Sequence, residues 1–519
     1  MSEPQKASTA DWIAVFAGAL GALVATLDIS IVNSALPEIQ GEIGATGTEG
    51  TWISTGYLVS EVVIIPLTAW LTRLLGTRTL LLISVVTFTV FSMTCGLSHS
   101  LPMMILGRVG QGFTGGALIP AAQTIIRTRL PARQMPVGMA IFGLIVLLGP
   151  LAGPVLGGWL TENVSWRWCF FINLPVAIGL MTLLLIGLKH EKIRWEVLRT
   201  ADWLGILGLA TCLSSLTVVL EEGQREQWFD SDLICILSVA SVIGFILLMV
   251  AQATAPHPVI KLRLLLERSY ASVIVIVLTI GTALYGMLYV LPQFLGTVSG
   301  YNALQTGRVL VLSGIPAFLL MPILPRMLEK MNLRISVIIG LLCFAGGCFL
   351  NLHLTGESDG AAFVASQLLI GTGQMLSLLP LNQASVGAVS KEDAPDAAGL
   401  YNMARNLGGS IGLALLGTFI DRRDEFHTDI LRSTLDANAP LVQERLSAMT
   451  ASFARNGADQ AYAQSQALAS LSQTIDLQSL VMTYSDCFWV LGVALLASIP
   501  LTLLLKTPRR QADAVLGGH

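Results

Sequence analysis

Residues 27–37 read LDISIVNSALP, Leu27 to Pro37, and close an apolar run that begins at Trp12 and ends at Leu36. The run exceeds the roughly 20 apolar residues that cross a bilayer. It also carries a carboxylate, Asp28, well inside that length. An Asp near the middle of a spanning helix costs about 2.5–3.5 kcal/mol on insertion scales. Such an acid faces a polar cavity or a partner rather than lipid, which makes Asp28 the first candidate functional residue. The plainer alternative is an Asp satisfied by a backbone group or by water, with no chemistry attached.

Composition extends this reading to the whole chain. Of 519 residues 53% are hydrophobic and only 12% charged, with a mean hydropathy of +0.70. Soluble domains carry about 25% charged residues, so the class is an all-α polytopic membrane protein. A net charge of −3 gives no handle for nucleic acid. Cys95, Cys169, Cys212, Cys235, Cys343, Cys348 and Cys487 lie within or at the ends of apolar runs. They show neither metal-ligand spacing nor a disulfide framework. No metal or cofactor is expected. The polar start, Met1 to Asp11, lacks a basic n-region with a cleavage site, so the first span is read as retained.

Roughly 14 runs are long enough to span. They begin near Trp12, Thr51, Thr79, Leu101, Pro136, Trp166, Asp202, Asp232, Ser269, Gln305, Leu333, Ala361, Ala398 and Thr483. Lysines and arginines gather on alternate connections. One side holds Arg73, Arg78, Arg127, Arg129, Arg133, Lys189, Lys192, Arg194, Arg199, Lys261, Arg263, Arg268, Arg326, Lys330 and Arg334, with Lys506, Arg509 and Arg510 in the tail. The opposite short loops hold chiefly Arg167 and Arg225. This asymmetry predicts that both termini are cytoplasmic.

The second run contains Glu61, and the fourth contains Arg108 and Gln111. At about 1.5 Å per residue, Asp28, Arg108 and Glu61 lie about 12, 10 and 15 Å from the same end of their helices. Two acids and a base at one level suit a proton site; a static ion pair is the plainer alternative. In the fifth run, GLIVLLGPLAGPVLGGW from Gly143 to Trp159, Gly149, Gly153 and Gly157 recur every four residues. They give one smooth face for close helix packing, and Pro150 and Pro154 each remove a backbone donor and bend the helix. A kinked, close-packed helix is a candidate gate.

These stretches resemble the major facilitator superfamily, in its fourteen-helix drug:proton antiporter branch. LDISIVNSALP resembles the first-helix motif of that branch. LGRVGQGFTGGALIP, Leu106 to Pro120, resembles the fourth-helix motif with Arg108 in the functional arginine's place, and Gly143 to Trp159 resembles the antiporter motif. WRWCFFINLP, Trp166 to Pro175, resembles the start of the sixth helix in this branch, TADWLGILG, Thr200 to Gly208, resembles the branch's entry into its extra helix pair, and RNLGGSIGLALLG, Arg405 to Gly417, is similar to EmrB-like members. AWLTRLLGTR, Ala69 to Arg78, departs from the general pattern: Ala69 replaces the usual Gly and Arg73 the usual Asp.

The resemblance implies two six-helix bundles, residues 1–190 and 258–519, flanking a pair of extra helices in 191–257. It implies no enzyme activity. The implied function is proton-coupled export of drugs or other hydrophobic and amphiphilic compounds across the cell inner membrane. Asp28, Glu61 and Arg108 are the expected coupling residues. Asn33, Tyr57, Gln111, Tyr285, Tyr289, Gln374 and Arg405 are candidates for the cavity wall, although residues such as Tyr285, Tyr289 and Gln374 are more often core or lipid-facing. Arg405, near the cytoplasmic end, could instead snorkel, at the wrong depth to meet Asp28.

Asp421 to Met482 is too polar to span. Val442, Leu446, Met449 and Phe453 recur at helical spacing, as do Leu468, Leu471 and Ile475, predicting two short amphipathic helices. In EmrB-like proteins this region faces the periplasm, so the implied partners are a membrane-fusion adaptor and an outer-membrane channel. Export of one endogenous lipid, fatty acid or siderophore is the alternative within transport. A lipid-modifying membrane enzyme is a remote one, because no cluster of His, Cys and carboxylates supports it.

Overall fold

The computed structural model describes residues 7–131, 134–256, 258–320, 323–324, 327–328, 331–390, 393–434, 440–455 and 459–506. Arg133, His257, Arg326, Lys330, Arg509 and Arg510 lie outside the described residues. Among those described, every regular element is a helix. The first part runs α1 (Thr9–Ile43), α2 (Trp52–Leu75), α3 (Thr77–Gly96), α4 (Leu101–Gly115), α5 (Leu118–Arg129), α6 (Met135–Asn163) and α7 (Asn173–Gly187). Two helices follow, α8 (Trp203–Glu222) and α9 (Asp232–Thr254). The last part is α10 (Arg268–Thr297), α11 (Ala303–Val311), α12 (Leu333–Leu350), α13 (Val364–Gly387), α14 (Ala394–Thr434), α15 (Pro440–Arg455) and α16 (Gln460–Ser498).

Eleven helices are long and apolar enough to cross a membrane among the described residues. The remaining expected spans are irregular for local reasons. The fourth is split into α4 and α5 around Gly116 and Ala117. There the chain hugs α2: a Cβ on Gly116 would meet the Glu61 carbonyl at 3.0 Å. The tenth starts as α11 and continues through short helical turns to Leu320. The thirteenth, α14, is one helix of 41 residues, interrupted by too many polar side chains to count as an apolar span.

The three largest apolar cores among the described residues hold most of the helices. One draws on Val15, Ala22, Leu118, Ile125, Leu180 and Leu184. Another draws on Ile280, Phe294, Phe344, Tyr484 and Phe488. A third joins Leu67 of α2 to Leu209 and Leu213 of α8, Tyr270 of α10 and Leu400 of α14. The first two are local to each half of the chain, whereas the third lies on the seam.

At the rim where α1 begins, polar contacts cross that seam. Arg73 reaches Asp396 at 3.3 Å across it, and within the last part of the chain Lys261 holds Asp393 at 2.5 Å and Asp396 at 3.2 Å. Arg127 donates to Asn382 Oδ1 at 2.8 Å and to the Ala394 carbonyl at 3.3 Å, and Asn402 donates to Gln123 Oε1 at 2.9 Å. The Lys261 ammonium, hydrogen-bonded to Asp393, holds that carboxyl below the usual carboxylate range. A carboxyl depressed in this way stabilises the fold above its ordinary value and loses that contribution as pH falls through the lowered one. The Asp393 carboxyl therefore stays ionised at physiological pH. Beside it lies a cavity of about 380 Å³, lined by Trp70, Arg73, Thr200, Pro258 and Lys261, remote from Asp28.

The polar segment is arranged differently from its sequence pattern. Val442, Leu446, Met449 and Phe453 do form the half-buried face of a short helix, α15. The second short helix, however, is the beginning of α16, which runs unbroken for 39 residues. No Pro or Gly interrupts Gln460 to Trp489, so nothing ends the helix before it enters its apolar part. Its buried side passes through Ala463 and Ala467, while Leu468 is 51% exposed. Arg423 and His427 on the extended end of α14 both bond Asp486 of α16, at 2.6 and 2.8 Å.

The glycine face of α6 packs on α1. A Cβ on Gly149 would come within 2.9 Å of the Leu27 backbone nitrogen, and one on Gly153 within 3.0 Å of the Ile31 nitrogen. On Gly157 it would lie 2.6 Å from the Ile31 carbonyl. Pro150 has no N–H for the Val146 carbonyl, and the Thr26 hydroxyl of α1 donates to that carbonyl at 3.3 Å. Gly153→Leu is expected to destabilise the protein by about 1–3 kcal/mol through overpacking, read as a lower thermal unfolding temperature. Gly158→Ala, where a Cβ meets nothing within 4 Å, should leave that temperature unchanged. Equal unfolding temperatures would show that α1 and α6 do not depend on this contact.

Candidate functional site: a buried ion pair on the first helix

Asp28 and Arg108 meet. Arg108 Nη1 lies 2.5 Å from Asp28 Oδ2, and both side chains are 0% exposed. Arg108 follows Gly107 and precedes Gly110, and these glycines let α4 lie against α3: a Cβ on Gly107 would meet the Phe91 carbonyl at 3.3 Å. The Asp28 carboxylate is then completed by two neutral amides. Gln111 Nε2 donates to Oδ1 at 2.9 Å, and Asn173 Nδ2 donates to the same oxygen at 2.8 Å.

The Arg108 fork is spread over three helices. Its Nε donates to the Ile53 carbonyl at 3.1 Å, Nη1 also donates to Gln111 Oε1 at 3.1 Å, and the guanidinium lies 4.5 Å above the Tyr57 ring. Nη2 is buried with no hydrogen-bond partner among the described residues. A cation over an aromatic face gains about 0.5–2 kcal/mol, which offsets part of that deficit. Tyr57 and Gln111, expected on the cavity wall, are therefore fully buried members of the ion-pair network.

Asn173 was not singled out from sequence, and its placement explains the stretch Trp166 to Pro175. Trp166 is buried and donates to Glu42 Oε2 at 2.5 Å. Arg167 reaches Glu42 at 2.7 Å and closes the exposed end of α3 by donating to the Gly96 and Ser98 carbonyls at 3.0 and 2.9 Å. This fixes the start of α7, so that Asn173 faces Asp28 and Ser92, the latter at 3.0 Å.

Glu61 does not touch the pair. It is 3% exposed on α2, and the cations whose field reaches it are Arg405 and Arg108. Arg405 of α14 is half-buried, and its Nε has no hydrogen-bond partner among the described residues. Tyr285 donates to Asn406 Oδ1 at 3.5 Å, Tyr289 packs against the core of the second half, and Gln374 is 9% exposed. Asn33 is exposed and accepts from Ser54 at 2.7 Å. The structure thus unites Asp28, Arg108, Gln111 and Tyr57 and leaves Glu61 and Arg405 in a separate neighbourhood on the seam. Two further acids at the end of α8, Glu221 and Glu222, were also missed. Their only sequence signal is a pair of carboxylates closing an apolar run.

Chemically, Asp28 is an acid whose charge is compensated by one cation and two amide donors in a dry setting. Removing one partner of a buried pair leaves the other charge uncompensated, at about 3–5 kcal/mol. Arg108→Ala alone should therefore lower the unfolding temperature more than Asp28→Asn with Arg108→Ala together. A double variant as unstable as the sum of the two single changes would mean that the pair contributes no coupling.

The sequence pattern described as "Major Facilitator Superfamily" matches residues 18–413. The chain is 32% identical to the colistin resistance protein EmrB of Acinetobacter baumannii, over 96% of this chain and 97% of that protein. It is 30% identical to the multidrug export protein EmrB of Escherichia coli K12 over 98% of each, and 27% identical to the fatty acid resistance protein FarB of Neisseria gonorrhoeae over 99% of each. In fold it is similar to the human organic anion transporter MFSD10 (TETRAN), with a TM-score of 0.59 at 16% identity, over 93% of this chain and 99% of that one. An all-helical chain with many apolar spans, matched over most of its length by this family's pattern, is a multi-pass membrane protein that belongs to the Major Facilitator Superfamily.

Proposed function

We propose that this protein is a proton-coupled antiporter that exports drugs or other hydrophobic and amphiphilic compounds across the cell inner membrane. The observation that carries the reading is the fully buried Asp28–Arg108 pair on a helix held on its other side by the glycines of α6. A proton on Asp28 removes the charge that Arg108 answers. Arg108 is then free to turn toward Glu61, whose surroundings already include its field. Loosening α1 from α4 lets α1 shift against the face formed by Gly149, Gly153 and Gly157, where Pro150 and Pro154 weaken the backbone ladder. Asp28, Glu61 and Arg108 are thus the coupling residues, and α6 is the gate. One charge crossing 100 mV releases about 2.3 kcal/mol, enough to drive such a step.

Residues 1–190 and 258–519 act as two bundles that rock around a central site, with 191–257 as an accessory pair. Asn33, Tyr285, Tyr289, Gln374 and Arg405 line the path between them. The basic rim holding Arg73, Arg127, Lys261 and Lys506 faces the cytoplasm, with both termini on that side. Residues 421–482 then face the periplasm, where exposed Tyr462 and Leu468 offer apolar surface to a membrane-fusion adaptor leading to an outer-membrane channel. The relative named for fatty acid resistance supports a second reading, export of one endogenous fatty acid or lipid. A panel of dyes and fatty acids offered to the same vesicles separates the two.

Two measurements test the main reading. Asp28→Asn, reconstituted in proteoliposomes with an imposed pH gradient, is expected to bind substrate but to lose gradient-driven efflux. Wild-type efflux by this variant would remove Asp28 from the mechanism. Tyr462→Asp with Leu468→Asp alters exposed positions, so efflux in proteoliposomes should persist while resistance of cells and co-purification of an adaptor are lost. Full resistance would rule out docking at this surface.

A further inference from the structure

Helix α8 ends on two consecutive carboxylates that bond in different directions. Glu222 is 1% exposed; it accepts from Thr55 Oγ1 of α2 at 2.6 Å and pairs with Arg225 at 2.6 Å. Glu221, about 100° further round the helix, accepts from Ser410 Oγ of α14 at 2.8 Å. The tip of this accessory helix therefore bonds one helix from each half of the chain. The two acids differ in one respect. Arg225 compensates Glu222, whereas among the described residues no Lys, Arg or His forms an ion pair with Glu221.

Glu222 acts on Glu221 from its own helix. Tyr285 of α10 lies in the joint field of Arg405 of α14, Glu61 of α2 and Glu221, so these charges from three helices act on one phenol. Helix α9, also packed on α8, brings Asp232 at its first turn. Thr55, bonded to Glu222, is about one turn into α2, whereas Glu61 is about two and a half turns in. The carboxylates thus descend from the rim opposite the start of α1 toward the level of Asp28.

We infer that Glu221 is a further proton-binding carboxylate of the transport cycle, supplied by the accessory helix pair and standing between that rim and Glu61. The inference rests on the proton-coupled reading above. As a neutral acid Glu221 keeps the Ser410 bond and holds α14 beside α8 without adding a third negative charge to the seam. When its O–H proton passes to water, the carboxylate accepts a stronger bond from Ser410 while Glu222 repels it from its own helix. Proton loss would therefore tighten the bond to α14, and the contact between α8 and α14 would change with the protonation state. The two added helices would then take part in coupling rather than fill space between the bundles.

The test needs no substrate. Infrared difference spectra of the reconstituted full chain, recorded across a pH titration, report each protonated carboxyl as it loses its proton. Wild type should show a band that Glu221→Gln lacks and that Asp28→Asn keeps. Glu221→Gln preserves shape and the Ser410 bond, and Glu221→Asp should restore a displaced band. Ser410→Ala should move the pH at which the band vanishes, a readout that simple loosening of the helix would not give. Identical titrations for wild type and Glu221→Gln would overturn the assignment. A missing Asp28 band with the Glu221 band intact would count against the Asp28 mechanism alone.

Discussion

The structure depends on where one negative charge in the middle of a membrane helix finds its answer. Asp28 is fully buried; its three donors come from α4 and α7, and the ring over its Arg108 partner comes from α2. An unpaired charge at that depth would not be tolerated, so α1, α2, α3, α4 and α7 are held at the spacing that satisfies the carboxylate, its arginine and their amide neighbours. The polar network does for this half of the molecule what the apolar core cannot do alone, because lipid tails are as apolar as the helix faces themselves.

A different force acts on the other side of α1. The glycines of α6 contribute no polar group. They allow backbone to approach backbone, so that Leu27 and Ile31 lie against Gly149, Gly153 and Gly157. One side of α1 is therefore held by charge and the other by shape. Pro150 adds a point at which the α6 ladder is already open and the Thr26 hydroxyl takes the place of a backbone donor.

The rim where α1 begins behaves in another way. Arg73 meets Asp396 across the seam, while Lys261 pairs with Asp393 and Asp396 within the last part of the chain; Asp396 is buried and its partners are partly exposed. Pairs near the surface contribute about 0–1 kcal/mol each, and Lys261 holds the Asp393 carboxyl below the usual carboxylate range. The Arg73 contact marks an arrangement of the two halves. Arg73 is met by Asp396, an acid from α14, so this contact joins the two halves.

Sequence alone determined the class, the level of Asp28, Arg108 and Glu61, and the existence of a close-packing glycine face, because length, hydropathy and a four-residue period are properties of a single helix. It could not assign direction. Depth gives the height of a side chain but not the azimuth of its helix, so Glu61 shares the level of Asp28 and yet looks toward Arg405. Asn173 carries no periodic or charge signal; it became visible only when Trp166 and Arg167 had fixed the start of α7. The polar segment shows the same limit: its apolar repeats were legible, but whether a helix stops or runs on into a span depends on the residues between. The partners of Glu221 and Glu222 were beyond reach for the same reason, since hydrogen bonds between helices 167 and 189 residues apart exist only once tertiary packing has brought α2, α8 and α14 to one seam.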